Sequence, residues 1–201
     1  MKIGILGGTF NPVHNAHIYL AKQCQKLLAL DKVILIPTFI PPHKRVDEMA
    51  DAKLRLEMCN LAVQNIQGFE VCDFEIRRAD VSYSLITLEY LHEEYPNAEL
   101  CFLMGTDMFL TVQDWHEPRG IFALATLCAC AREEGEYEKL LIHRSSLQAM
   151  GAKCELLKIP PMPMSSTEIR TMLKQNKNTQ EYIDENVDKF IREHKLYGVT
   201  K

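Results

Sequence analysis

The sequence predicts a Rossmann-like, doubly wound α/β fold, with a mainly parallel sheet, helices on both faces and a small C-terminal helical part. Short apolar runs rich in β-branched residues alternate along the chain with longer segments of helical periodicity. Several of the short runs are apolar on consecutive residues, which is typical of strands covered on both faces. This alternation predicts parallel strands joined by helices, with ligands bound at the carboxyl ends of the strands.

Six strands are expected, and they follow one another along the chain as residues 2–6, 32–36, 69–76, 100–104, 126–131 and 154–159. Apolar residues three and four positions apart predict the helices. The expected helices are residues 17–30, 52–64, 85–95, 137–150, 166–175 and 187–194. Residues 37–44 and 105–120 predict irregular loops after the second and fourth strands, where proline and glycine interrupt both periodicities.

Length and charge limit the class of protein. A chain of 201 residues that is 47% hydrophobic can form one domain over residues 1–201, with residues from about 165 to 201 as its C-terminal helical part. A formal net charge of -4 argues against a nucleic-acid partner, because such affinity comes from neutralising phosphates. No apolar run is long enough for a membrane span or a secretion signal, so a cytoplasmic protein without a membrane partner is expected. The seven cysteines form no Cys-x-x-Cys pair and are interpreted as reduced core residues.

The first strand leads into a glycine turn and a histidine pair, in the run Gly7-Gly8-Thr9-Phe10-Asn11-Pro12-Val13-His14-Asn15-Ala16-His17. The glycines allow a ligand to approach the backbone closely, and a helix capped by Asn15 would direct its free N–H groups to the same place. His14 and His17 can project into this space. A tight turn with structural histidines is the plain alternative. A metal site is not predicted, since neither a zincin glutamate nor a third ligand is evident.

A second anion-binding segment begins after a proline-rich stretch late in the chain. Ser165 and Glu168 form a capping box, which alone indicates a well-capped helix. The segment also indicates an anion-binding helix terminus. Phosphate can be bound there by the free N–H groups at Ser166 and Thr167 together with the guanidinium of Arg170 one turn later.

The paired runs Gly-Gly-Thr-Phe-Asn-Pro-x-His-x-x-His and Ser-Ser-Thr-x-Ile-Arg resemble the signatures of the nucleotidyltransferase superfamily with the HxGH motif. Ala16 stands where glycine is usual. Members of the superfamily transfer a nucleotidyl group from a nucleoside triphosphate to a phosphate or carboxylate acceptor and release pyrophosphate. The resemblance implies this chemistry here. Mg²⁺ is the expected cofactor, bound mainly through the ATP phosphates because no carboxylate cage is visible.

Further matches over nearly the whole chain resemble the bacterial nicotinate-nucleotide adenylyltransferases. They are Pro41-Pro42-His43-Lys44, Arg55-Leu56-Glu57-Met58, Ser82-Tyr83-Ser84, Gly105-Thr106-Asp107 with Trp115 after it, and His194-Lys195-Leu196-Tyr197-Gly198. The resemblance implies ATP and nicotinic acid mononucleotide as substrates and the dinucleotide precursor of NAD as product. It also implies that the Ser-Tyr-Thr segment and the loop tryptophan hold the pyridine ring. Ser84 stands in place of the usual threonine, and His116 in place of a frequent tyrosine.

The residues themselves give a similar assignment. Trp115 offers a flat face for stacking an aromatic ring, although it could instead plug its loop onto the core. Ser84 can cap a helix whose N–H groups favour a carboxylate over an amide, and therefore nicotinate over nicotinamide. Lys44 is a plausible phosphate contact after a strand end, and Arg132 after the fifth strand is a candidate for nucleotide contact.

The expected site has three sets of residues. The catalytic residues are His14, His17, Lys44 and Arg170. The ATP-binding residues are Gly8, Thr9, Phe10, His17, Gly105, Asp107, Arg132, Ser165, Ser166, Thr167 and Arg170. The residues binding nicotinic acid mononucleotide are Gly7, Lys44, Ser82, Tyr83, Ser84, Trp115 and His116. Three alternatives stay open: transfer to nicotinamide mononucleotide, transfer to phosphopantetheine, and a catalytically silent nucleotide sensor. A homo-oligomer is possible.

Overall fold

A six-stranded sheet forms the centre of the molecule in a computed structural model that describes residues 1–42, 49–131, 133 and 135–199. Its strands are β1 Lys2–Gly8, β2 Lys32–Pro37, β3 Phe69–Val71, β4 Glu99–Gly105, β5 Ala125–Ala131 and β6 Lys153–Lys158. Each neighbouring pair runs parallel, in the order β3-β2-β1-β4-β5-β6.

Helices connect these strands and follow the last one. They are α1 Asn15–Leu27, α2 Ala52–Val63, α3 Phe74–Arg78, α4 Ser84–Glu94, α5 Thr106–Phe109, α6 Pro118–Leu124, α7 Glu136–Ala149, α8 Ser166–Lys174 and α9 Glu185–Glu193, with 3-10 turns at Val112–Asp114 and Leu196–Gly198.

The sheet is covered on both faces, as strands without a polar side must be. On β2, Val33 and Leu35 join a core with residues of α1, α2, α8 and α9. Ile34 and Ile36 point the other way, into a core with residues of α4, α6 and α7. The predicted Rossmann-like, doubly wound α/β fold is confirmed. That residues 1–201 form one domain stays a prediction.

The strand order reverses between β1 and β4, which are neighbours in the sheet but not in the chain. Crossovers leave in opposite directions on the two sides of this point, so a crevice opens at the carboxyl ends of both strands. β1 ends there with Gly7 and Gly8, and β4 ends with Gly105.

Two segments differ from the prediction. The predicted strand 69–76 pairs with β2 over Phe69–Val71 and then turns into the helix Phe74–Arg78. The Arg77 side chain bonds Asp73 one turn earlier, at 2.8 Å, and such a pair supports a helix. The predicted loop 105–120 is largely helical, and Pro118 occupies the first turn of α6, where its missing N–H costs nothing.

The helix caps expected at Asn15 and Ser84 are each wrong by one position. His14, not Asn15, is the N-cap of α1, and Asn15 is its first helical residue. Tyr83, not Ser84, precedes α4, and no side-chain cap bond forms there. Ser84 therefore contributes the backbone N–H of the first helical turn. The capping box of Ser165 and Glu168 is confirmed, with the Ser165 N–H donating to the Glu168 carboxylate at 2.8 Å.

Candidate active site

Two cavities meet where β1 ends. One has a volume of about 370 Å³ and the other of about 980 Å³. The residues that line both of them are Gly7, Gly8, Thr9, Asp107 and Met108. A molecule in one cavity would therefore touch a molecule in the other beside the glycine turn.

The smaller cavity collects the residues predicted for the pyridine nucleotide. It is lined by Ser82, Tyr83, Ser84, Trp115 and His116, together with apolar residues of the sheet and α6. The Tyr83 and His116 rings lie 4.4 Å apart, so they form one aromatic wall. Trp115 also packs edge-on against Phe102, at 6.1 Å between ring centroids. The indole thus meets the core and the cavity at once, and its stacking on a substrate ring stays a prediction.

The larger cavity contains the histidine pair. The rings of His14 and His17 stack at 3.7 Å between centroids, and the Phe10 ring stands edge-on to His17 at 5.1 Å. The His14 backbone N–H donates to Nδ1 of His17 at 3.2 Å. Because Nδ1 accepts this bond, the proton of the neutral His17 ring is on Nε2, where it can be donated to a ligand.

Every predicted ATP-binding residue that the structure describes lines this larger cavity. These residues are Gly8, Thr9, Phe10, His17, Gly105, Asp107, Ser165, Ser166, Thr167 and Arg170. Gly7 lines both cavities. Lys44 and Arg132, and also His43, lie outside the described residues.

The loop at Asn11 and Pro12 is held by three side chains from the C-terminal part of the chain. We name these residues, Ser166, Arg170 and Tyr197, the C-terminal clasp. Ser166 Oγ donates to the carbonyl of Pro12 at 2.9 Å, and Arg170 Nη1 donates to the carbonyl of Asn11 at 2.9 Å. The Tyr197 hydroxyl donates to Asn11 Oδ1 at 2.9 Å. One arm of the Arg170 fork therefore already serves the loop, which corrects the expectation of a fork wholly directed at phosphate.

Arg55 holds the same loop from the other side and was not assigned a role from the sequence. Its side chain is 1% exposed and donates to the carbonyls of Thr9, Phe39 and Ala50 at 2.7, 3.2 and 3.0 Å. Burial lowers the pKa of this guanidinium from its ordinary value. A signal was present: Arg55 lies at helical spacing with Met58 on the apolar face of α2, where a cation needs a structural reason.

Glu75 is the other residue that sequence reasoning missed, because its segment was interpreted as a strand. It is 6% exposed, lines the smaller cavity and accepts a 2.7 Å bond at Oε1 from the Thr87 hydroxyl. Its Oε2 is buried without a hydrogen-bond partner among the residues that the structure describes. Burial raises the pKa of this carboxyl, against the lowering effects of Ser82, Thr87, Arg78 and Arg55.

Within the described ranges, no group of three or more histidine, cysteine, aspartate or glutamate side chains is placed to hold a metal ion. All seven cysteines carry free thiols, and five are fully buried. Among the described helices, none has the length and apolarity that crossing a bilayer requires.

Comparison with known proteins gives the family. The profile described as "Cytidylyltransferase-like" matches residues 5–172. The chain belongs to this family. Several relatives carry the name "Probable nicotinate-nucleotide adenylyltransferase", and a match to them at 34–37% identity over 98% of this chain makes the chain a member of that group also. The Shewanella sp. (strain W3-18-1) relative is 37% identical over 214 residues, which cover 98% of this chain and 99% of the relative. The Geotalea daltonii relative is 34% identical over 218 residues, with the same coverage.

A solved structure supports the fold independently. The Plasmodium falciparum nicotinic acid mononucleotide adenylyltransferase, solved in complex with NaAD, superposes with a TM-score of 0.80 at 19% identity and covers 99% of this chain and 98% of its own. A second structure of that protein, complexed with APC, has a TM-score of 0.77 at 18% identity. At this identity the likeness shows the shared fold.

Proposed function

We propose that this chain transfers the adenylyl group of ATP to nicotinic acid mononucleotide, giving nicotinic acid adenine dinucleotide and pyrophosphate, a step of NAD biosynthesis. The observation that carries the proposal is the meeting of two cavities at Gly7, Gly8 and Thr9. One cavity has an aromatic wall suited to a pyridine ring, and the other has a histidine pair and a capped helix suited to a triphosphate.

The acceptor phosphate is already an anionic nucleophile, so positioning and charge stabilisation are the main requirements. Its oxygen forms a bond to the α-phosphorus of ATP, while the bond from that phosphorus to the bridging oxygen of the β-phosphate breaks and pyrophosphate leaves. His17 donates from Nε2 to the reacting phosphate. The ring of His14 stacks on the ring of His17 beside that phosphate. The first N–H groups of α8, at Ser166 and Thr167, hold the β and γ groups together with Arg170.

Three further assignments belong to the proposal. Lys44 holds the reacting or departing phosphates, and Arg132 contacts the nucleotide. Mg²⁺ would be held mainly by the ATP phosphates and water, and it would supply charge neutralisation for the departing pyrophosphate. Asp107 fits this arrangement because it is exposed and lines both cavities.

The free thiols of the cysteines support the cytoplasm as the place of action.

The parent enzyme should use the acid mononucleotide at least about tenfold better than the amide mononucleotide in kcat/KM. The α4 N–H groups at Ser84 would make charge-assisted bonds to a carboxylate but weaker ones to an amide, whose NH₂ would be misplaced. Pyrophosphate release with ATP, Mg²⁺ and each acceptor, phosphopantetheine included, measures the preference. Equal use of acid and amide would refute the carboxylate argument, and activity with phosphopantetheine alone would refute the proposed acceptor.

Trp115→Ala should reduce kcat/KM for both mononucleotides by a similar factor, on the order of tenfold, since ring stacking does not depend on the ring substituent. The same pyrophosphate assay checks this ratio. Unaltered kinetics would show that the indole serves the core contact with Phe102 and not the cavity.

Arg170→Lys should weaken the use of ATP on the order of tenfold while barely changing the KM for the mononucleotide. Lysine keeps the charge but cannot bond the Asn11 carbonyl and a phosphate at the same time. Initial rates measured over a matrix of ATP and mononucleotide concentrations separate the effect on ATP use from the effect on the KM for the mononucleotide. Were the mononucleotide term to change instead, the assignment of the two cavities would be reversed.

A further inference from the structure

Glu75 is a buried carboxyl group that the proposed reaction does not use. Oε1 accepts the Thr87 hydroxyl at 2.7 Å, Oε2 makes no hydrogen bond of normal geometry among the described residues, and the Ser82 hydroxyl interacts with the carboxyl closely enough to lower its pKa. A buried acceptor oxygen without a partner costs stability, and a protein that keeps one has a structural or functional reason. Apolar packing does not give that reason, because an isosteric amide would keep the Thr87 bond without a buried charge.

The position of Glu75 points to the reason. The side chain lines the cavity of about 370 Å³ that also has Ser82, Tyr83 and Trp115 in its wall. Within so small a volume, an anion acts on the Glu75 carboxyl through a low-dielectric space and needs no direct contact with it. An ionised Glu75 would repel a ring carboxylate, whereas a protonated Glu75 would not.

We propose that Glu75 determines specificity by charge: it takes up a proton when an acceptor with an anionic ring substituent binds, and in its ionised form it favours a neutral ring. The proposal rests on the proposed function, because it assigns the smaller cavity to the acceptor ring. Nicotinic acid mononucleotide and nicotinamide mononucleotide carry the same phosphate. A difference between their kcat/KM values therefore reports on the ring substituent alone.

Several charged and titratable groups surround this carboxyl. They are Arg78 on α3 itself, Arg55 on α2, Cys72 directly after β3, and Tyr83, Asp107 and His116 around the cavity. The two arginines favour the ionised form. Burial outweighs them and raises the pKa of Glu75. A bound ring carboxylate acts in the same direction as burial, so the two effects add.

The sign of the pH dependence follows from linkage. A bound ring carboxylate raises the pKa of Glu75 further. The acid mononucleotide therefore binds best at a pH below the pKa that Glu75 has in the empty cavity. This advantage is lost as the pH rises through the pKa of the occupied site. In the parent enzyme, the acid-to-amide ratio of kcat/KM should therefore fall about three- to tenfold as the pH rises from below the pKa of the free site to above the pKa of the occupied site.

Glu75→Gln should make that ratio independent of pH and raise it, at a pH above the pKa of the occupied site, to the low-pH value of the parent. Glutamine keeps an acceptor for Thr87 and removes the charge. The variant should also melt about 2–4 °C higher than the parent at that pH, because a group with a raised pKa costs stability when it ionises. A carboxylate kept for packing alone would give no change in the acid-to-amide ratio.

Asp188→Asn is the matched control. Asp188 Oδ1 likewise accepts a threonine hydroxyl, from Thr179 at 2.6 Å, but the residue is on α9 and outside both cavities. Although burial acts to raise the pKa of Asp188, its bonds with Arg192 and Thr179 hold that pKa below the ordinary value. The control should therefore lower the melting temperature and keep the pH dependence of the acid-to-amide ratio.

Titration calorimetry on the parent, in two buffers with different ionisation enthalpies, counts the protons directly and does not depend on the variant folding. At a pH between the pKa of the free site and that of the occupied site, the acid should take up about 0.3 proton or more beyond the amide. A flat acid-to-amide ratio or equal proton counts with both acceptors bound would overturn the role of Glu75 and leave the proposed function intact. If neither acceptor binds, the proposed function fails and this inference fails with it.

Discussion

Replacing His17 with alanine should lower kcat on the order of 10²-fold or more, the scale expected when one stabiliser of transition-state charge is removed. The Nδ1 atom of His17 accepts the His14 N–H, so in the neutral ring Nε2 carries the proton, and His17 lines the larger cavity. The measurement is steady-state pyrophosphate release at saturating ATP and acceptor. The effect should appear in kcat, because the interaction is strongest in the transition state.

His17→Asn separates the chemistry from the fold. Its side-chain oxygen can still accept the His14 N–H, so the helix start should be kept while the Nε2 donor is lost. His92→Ala, at an exposed position of α4, is the control and should keep parental kcat and melting temperature. Near-parental turnover in both His17 variants would make this histidine a capping residue alone.

Replacing Arg55 with methionine should lower the free energy of unfolding by about 3–5 kcal/mol, because three buried carbonyls lose their donors at once. Methionine fills similar volume, so the loss comes from the bonds to Thr9, Phe39 and Ala50 and not from a cavity. Chemical denaturation of the parent and variant measures the difference. Bound ATP should recover part of it, since a ligand that binds the folded state stabilises that state.

Arg77→Met is the comparison for Arg55. Arg77 also bonds a neighbour, Asp73 at 2.8 Å, but it does so on the exposed face of α3. Such surface pairs contribute little, so this variant should unfold at nearly the parental denaturant concentration. Equal stability of the two variants would mean that water replaces the Arg55 guanidinium at the loop carbonyls.

The strands were predictable where both faces are covered, because consecutive apolar residues then have one explanation. This was so for β1, β2 and β4. It was not so for β3, an edge strand of three residues that is followed by a helix in which the buried Glu75 bonds Thr87. A contact between side chains twelve residues apart leaves no periodic mark in the sequence.

The site was predictable as a set of lining residues, but its supports were not. A motif indicates which side chains line a cavity, as it does for the two histidines. It does not indicate which distant groups hold the loop, such as the Arg55 bond to Thr9 or the Tyr197 bond to Asn11. These bonds depend on how α2 and the chain end pack against the glycine turn, and packing is decided by the whole fold.

The C-terminal clasp has a consequence for biosynthesis. Asn11 leaves the ribosome early, but Tyr197, which bonds it, follows 186 residues later. A nascent chain that ends before Ser166 contains the glycine turn and both histidines, yet it lacks all three bonds of the clasp. Contacts so distant in sequence form late, because translation delivers their partners last and a long loop must close. The clasp on the loop between β1 and α1 is therefore complete only once Tyr197 has been synthesised, and a chain that ends before Ser166 has this loop without any of the three bonds.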